Sequence, residues 1–81
     1  MKVRILLFGP ARLSVDQTEL FLDLFPQARV CDAVNKLLRD YPPLQKLENC
    51  LRYAVDMEYV GLETSLCEGQ TLALIPPVQG G

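Results

Sequence analysis

Apolar and polar residues alternate along most of this chain, and in one stretch the apolar positions recur with helical spacing instead. Residues 2–8 alternate: Val3, Ile5 and Leu7 point to one side of an extended chain, Arg4, Leu6 and Phe8 to the other. Gly9-Pro10 ends this strand, and residues 11–14 suit a short helical turn. Residues 18–24 form a second strand, with Leu20, Leu22 and Leu24 facing the core, Glu19, Phe21 and Asp23 facing out, and Pro26 closing it. Over residues 30–41 the spacing changes. Val30, Ala33, Val34, Leu37, Leu38 and Tyr41 make one apolar stripe of a helix that Pro42-Pro43 stops. Arg29 stands where a capping Ser, Thr or Asp is expected. Each buried Val or Leu contributes about 1.5–3 kcal/mol, so the stripe outweighs the missing cap. Asp32 and Lys36, at i and i+4, are expected to pair on the exposed side.

Residues 43–50 suit a short helix or a structured loop, residues 51–55 a third strand, Asp56-Met57 a turn and residues 58–60 a short fourth strand. Leu66 and Cys67 are expected to pack inward from a loop before a turn at Glu68-Gly69. Residues 71–75 form the last strand, with Leu72 and Leu74 on the core face and Ala73 and Ile75 on the other. The order ββαβββ satisfies the layer rule as an α+β domain, a mixed sheet with one main helix packed across it. The first and last strands can pair in parallel, because all the chain between them serves as their connection. That arrangement is the β-grasp, or ubiquitin-like, fold.

An 81-residue chain makes one domain, and at this size it buries only about 60% of the surface its unfolded form exposes. Its hydrophobic fraction of 49% excludes disorder, and a net charge of −2 without a basic stripe argues against nucleic-acid binding. Arg4 interrupts the N-terminal apolar run, so no signal peptide is expected, and no apolar run has the length of a membrane span. The expectation is a soluble cytoplasmic protein. Cys31, Cys50 and Cys67 show no C-x-x-C spacing and fall on different predicted elements, which favours buried free thiols over a disulfide or a zinc site. With no histidine, Ser-His-Asp and Cys-His arrangements are excluded.

The stretch with a clear chemical use is the end of the chain, Leu-Ala-Leu-Ile-Pro-Pro-Val-Gln-Gly-Gly over residues 72–81. Residues 1–75 read as the folded domain and residues 76–81 as a protruding tail. Pro76 and Pro77 favour an extended, semi-rigid path, and six residues beyond Ile75 reach roughly 20 Å. Gly80 and Gly81 carry no Cβ and can enter a narrow channel, delivering an α-carboxylate that adenylation would activate. A frayed terminus is the alternative; the prolines and the strand feeding them favour function. Beside the tail, Leu6, Phe8, Phe21, Ala73 and Ile75 are apolar on the face that Arg4 marks as wet, with Tyr59 close by. Phe8 and Ile75 are expected to be contiguous. A contiguous apolar patch beside a tail suggests an interface; a covering loop or a register shift of one residue would remove it.

Together, Val3-Arg-Ile-Leu-Leu-Phe-Gly9 followed by Ala11-Arg12, Ala54-Val-Asp-Met-Glu-Tyr-Val60, and above all Glu68-Gly-Gln-Thr-Leu-Ala-Leu-Ile-Pro-Pro-Val-Gln-Gly-Gly81 resemble the small, sulfur-carrier subunits of molybdopterin synthase. Asp56 stands where this family usually has Asn, Gln70 where Asp is common, Leu13 where Glu is common, and Gln79 where Ser or Thr is usual. The resemblance implies that an enzyme related to ubiquitin-activating enzymes uses ATP to adenylate Gly81. A sulfur donor then converts the terminus to a thiocarboxylate. The tail, Pro76, Pro77, Val78, Gln79, Gly80 and Gly81, enters the large synthase subunit of a heterotetramer. There it gives sulfur to cyclic pyranopterin monophosphate, while the carrier itself binds no cofactor or metal and supplies no catalytic side chains. It further implies that Phe8, Leu6, Tyr59 and Ile75 contact the large subunit, and that Arg12 serves the activating enzyme unless it is an ordinary solvated charge. Rival readings are a sulfur carrier for thiamin or tRNA thiolation, a ubiquitin-like modifier of lysines, and an interaction domain with an inert terminus. The Ile-Pro-Pro-Val run favours the molybdopterin version.

Overall fold

The computed structural model describes residues 1–76. The expectations for Pro77, Val78, Gln79, Gly80 and Gly81 lie outside the described residues. Strand β1 (Lys2–Leu7) leads through helix α1 (Gly9–Val15) to β2 (Glu19–Asp23). Helix α2 (Val30–Asp40) and a 3₁₀ segment, Pro42–Leu47, then precede β3 (Arg52–Val55), β4 (Glu58–Val60) and β5 (Thr71–Ile75). The five strands form one sheet in the order β2-β1-β5-β3-β4. β1 pairs in parallel with β5, placing Ile5 beside Leu72 and Leu7 beside Leu74, and every other pairing is antiparallel. This is the β-grasp arrangement.

The alternation assigns faces correctly. Val3, Ile5 and Leu7 from β1, Leu20 and Leu22 from β2, and Leu72 and Leu74 from β5 are buried, and the α2 residues Val30, Ala33, Val34 and Leu37 pack onto them. Leu38 and Tyr41, at the margin of the helical stripe, are only partly buried. Tyr53 joins the core from β3, and burial, with the Glu48 carboxylate as a lesser contributor, raises its phenol above the ordinary pKa of 10.0.

The start of α2 explains itself once its neighbours are known. A helix leaves its first amides without intrahelical acceptors. Here the N–H of Val30 donates to the Thr64 carbonyl at 2.8 Å and that of Cys31 to the Leu62 carbonyl at 3.0 Å, so a distant loop does the work of a cap. Arg29 offers no side-chain acceptor; its own N–H donates to Asp32 Oδ2 at 2.8 Å, which is half of a capping box. That bond corrects the expected Asp32–Lys36 pair. Asp32 turns to the helix start, and Lys36 Nζ donates instead to the Asp23 carbonyl at 2.9 Å.

Three further corrections concern α1 and the thiols. The expected turn at residues 11–14 is a longer helix, preceded by Phe8 in extended conformation and ended by Asp16 at φ 62°. Leu66 is buried, its N–H held by the Ala28 carbonyl at 2.8 Å, but Cys67 turns outward and donates its N–H to Gln70 Oε1. Cys50 is also exposed and Cys31 half-buried, so the thiols are not the core residues that were expected. No described helix is long and apolar enough to cross a membrane.

Candidate functional site

The face of the sheet turned away from α2 carries the site. Strand register lines up one row across four strands: Leu6 on β1 lies beside Ala73 on β5, Ala73 opposes Ala54 on β3, and Ala54 opposes Tyr59 on β4. In the next row, just beyond the end of the β1–β5 pairing, stand Phe8 and Ile75. On the other side come Arg4 and Thr71, with Asp56 and Met57 from the β3–β4 turn. Large side chains thus surround two alanines, and the result is a depression of about 610 Å³. Its walls are accessible: Phe8 is 46% exposed, Tyr59 67% and Met57 98%. No described loop covers this face, and the register is not shifted.

The turn that supplies Met57 is held in an unusual backbone. Asp56 has φ 48° and Met57 φ 74°, both in the left-handed region that the tight turns of two-residue hairpins require. Asp56 Oδ1 accepts the Thr71 N–H and Oδ2 accepts Gln70 Nε2, each at 3.3 Å, which fastens the turn to the start of β5. A short polar side chain tolerates this conformation; methionine does so at a cost of roughly 1–2 kcal/mol.

Phe21 does not belong to this site. It is exposed on β2 directly across from Arg4, which, paired with Glu19, separates it from the depression, and the Lys2 ammonium lies 5.8 Å from its ring centre. Arg12 does not line the depression, but it borders a neighbouring hollow that it shares with Arg4, Leu6 and Phe8. It lies on α1 beside a separate, more polar hollow with Asp16, Thr18 and Glu19. Leu6, Phe8, Tyr59, Ala73 and Ile75 are the expected residues brought together here. Ala54 and Met57 are added to them, and neither was singled out in the sequence. The turn signal at Asp56-Met57 located the methionine without hinting that it is a wall; Ala54 becomes visible only through its register with Ala73.

At the exit from the sheet, Pro76 is half-buried against Gly9, whose φ is +52°. Pro76, expected as the first residue of a protruding tail, is therefore packed against the domain. It follows directly on Ile75, which is a wall of the depression.

The profile of the ThiS family matches residues 5–81, nearly the whole chain. The chain belongs to the ThiS family. Among its ThiS-family relatives, the molybdopterin synthase sulfur carrier subunit of Caenorhabditis elegans is 36% identical over 84 residues, covering 100% of this chain and 99% of the relative. The solved structure of SAMP1 from Haloferax volcanii superposes with a TM-score of 0.90 at 24% identity, covering both chains completely. A subunit from the complex of subunits 1 and 2 of the Helicobacter pylori molybdopterin-converting factor superposes with a TM-score of 0.74 at 23% identity, again over 100% of both chains. At these identities the two structural likenesses show the ubiquitin-like β-grasp fold of the ThiS-family chain.

Proposed function

We propose that this chain is the sulfur-carrier subunit of a molybdopterin synthase. The observation that carries the reading is its end-to-end likeness, at 36% identity, to a chain named as that subunit. The Pro-Pro-Val-Gln-Gly-Gly end and the apolar depression at its base supply the two parts a carrier needs, a deliverable carboxylate and a docking surface. Residues 1–75 act as the docking domain and residues 76–81 as the delivery arm.

The chemistry runs through Gly81. In the activating enzyme, its carboxylate attacks the α-phosphorus of ATP and expels pyrophosphate, giving an acyl-adenylate. A sulfide-level sulfur donor attacks the acyl carbon and AMP leaves, giving a thiocarboxylate without change of oxidation state. The nucleotide belongs to the activating enzyme, which Arg12 serves as a contact, and the proposed location of the carrier is the cytoplasm. The domain then docks on the large subunit through Phe8, Leu6, Tyr59 and Ile75. Pro77, Val78, Gln79 and Gly80 traverse the channel, the thiocarboxylate sulfur displaces an oxygen substituent of cyclic pyranopterin monophosphate, and water cleaves the acyl–sulfur bond, which leaves the sulfur on the pterin and restores the Gly81 carboxylate. A dithiolene holds two sulfur atoms, so two loaded termini are consumed per product.

Incubation with the activating enzyme, ATP and a sulfur source is expected to raise the intact mass by the exchange of one oxygen for sulfur, and deletion of Gly81 to abolish that shift. Loaded carrier mixed with the large subunit and cyclic pyranopterin monophosphate is expected to yield molybdopterin. An unchanged mass with a demonstrably active enzyme refutes the reading. Loading without molybdopterin formation assigns the carrier to another sulfur pathway.

A further inference from the structure

The walls of the depression hang on different parts of the sheet. Leu6 stands on β1, inside the sheet, with Phe8 just after it, whereas Met57 and Tyr59 belong to the β3–β4 hairpin at the sheet edge. β4 is three residues long and pairs with β3 alone. The tip of this hairpin carries two consecutive residues in the left-handed region, Asp56 and Met57, and neither is a glycine. Such backbone persists where the surrounding contacts over-determine it.

Those contacts form a chain of hydrogen bonds. Asp56 Oδ1 accepts the Thr71 N–H, and Oδ2 accepts Gln70 Nε2. The other end of the same amide, Gln70 Oε1, accepts the Cys67 N–H at 2.7 Å. Both ends of the chain have fixed polarity. A backbone N–H only donates and a carboxylate only accepts, so position 70 must offer one acceptor and one donor, as an amide does. The chain closes equally well with the two groups exchanged. In the pair Asp56→Asn and Gln70→Glu, the new carboxylate accepts from the Cys67 N–H and from the new amide, whose carbonyl still accepts the Thr71 N–H. Positions 56 and 70 are also two at which this chain departs from the pattern it resembles, where Asn is usual at the first and Asp common at the second.

We infer that Asp56 and Gln70 act as one unit, a positioning pair that fixes the hairpin tip, and with it the Met57 and Tyr59 walls, for docking, and that their carboxylate and amide can be exchanged only together. The inference rests on the sulfur-carrier reading. The pair acts through the walls it holds. Exchanging both groups keeps every hydrogen bond of the chain and the net charge. It moves the carboxylate from the lining of the depression, which includes Asp56, to the residue just before β5. The exchange therefore separates positioning from a contact made by the Asp56 charge itself.

The experiment follows molybdopterin formation by the purified large subunit against the concentration of the whole chain, preloaded as the thiocarboxylate, at saturating cyclic pyranopterin monophosphate. A thermal melt accompanies each variant, and rates are compared below the lowest melting temperature. The variants are Asp56→Asn, Gln70→Glu and the double exchange. Asn tolerates the left-handed backbone of position 56, so Asp56→Asn adds no strain there. It sets two donors against each other, and Gln70→Glu sets two carboxylates against each other. Each single variant is expected to raise the KM for the carrier at least about threefold at an unchanged kcat. The double exchange is expected to return KM to within about twofold of the wild type. Single variants that keep the wild-type KM, whatever their melting temperatures, overturn the positioning role and leave the carrier reading intact. A double exchange that melts like the wild type yet keeps a raised KM makes the Asp56 carboxylate itself the contact, and overturns the inference too. No molybdopterin from the wild type overturns both the inference and the carrier reading.

Discussion

Pro76 lies so close to Gly9 that a Cβ built on the glycine would sit 3.0 Å from the proline Cγ. Gly9 also has φ +52°, so two independent reasons keep a side chain away from this position. The contact joins the end of β1 to the first residue of the tail. It means that the chain leaving β5 is held at Pro76 by packing, as well as by that residue's fixed φ.

Gly9→Val tests that contact. A β-branched residue is a genuine outlier at positive φ, and the backbone cost of roughly 1–2 kcal/mol is expected to appear as a lower melting temperature. Displacement of Pro76 is expected to slow sulfur transfer from preloaded carrier by more than the loss of folded protein explains. Transfer that merely tracks the folded fraction would show that the seat of Pro76 does not matter to delivery.

Met57→Gly is expected to stabilise the domain. Relief of the left-handed strain at φ 74°, roughly 1–2 kcal/mol, exceeds the entropy that glycine adds to the unfolded chain, about 0.4–1 kcal/mol. Chemical denaturation is the measurement, and the net gain is expected to be at most about 1.6 kcal/mol. Because Met57 is a wall of the depression, the same variant is expected to bind the large subunit more weakly. A variant both less stable and wild-type in binding would remove the case for a methionine retained at a strained turn for docking.

Phe8→Asp is expected to leave the melting temperature of the isolated domain almost unchanged, since the ring is 46% exposed and precedes α1 without lying in the core. Complex formation with the large subunit is expected to be lost, because docking would bury an unpaired carboxylate. Unfolding of the monomer would place Phe8 in the core and overturn its assignment to the docking surface.

Tyr53 makes a pH-dependent contribution whose sign follows from its raised pKa. The folded state favours the neutral phenol, so its contribution is complete below the ordinary value of 10.0 and is lost as pH rises from there through the folded pKa. Tyr53→Phe is expected to flatten this alkaline loss of stability relative to the wild type, with other groups titrating equally in both. Parallel stability curves for the two proteins above pH 10.0 would show that Tyr53 ionises as freely in the fold as outside it.

Much of this protein follows from its sequence, because the period of two along a strand and the period of 3.6 along a helix are local consequences of backbone geometry. Val3, Ile5, Leu72 and Leu74 have one face available whatever the rest of the chain does, and placing them inside puts Leu6, Phe8, Ala73 and Ile75 outside. Even the nearness of Phe8 to Ile75 was legible once the first and last strands were paired. The tertiary structure decided what depends on register between residues far apart in the chain: the opposition of Ala54 and Ala73, the separation of Phe21 behind Arg4, the capping of α2 by the carbonyls of Leu62 and Thr64, and the seat of Pro76 on Gly9. Each joins groups whose meeting no local periodicity encodes, since the closure of long loops brings them together only when the whole sheet forms.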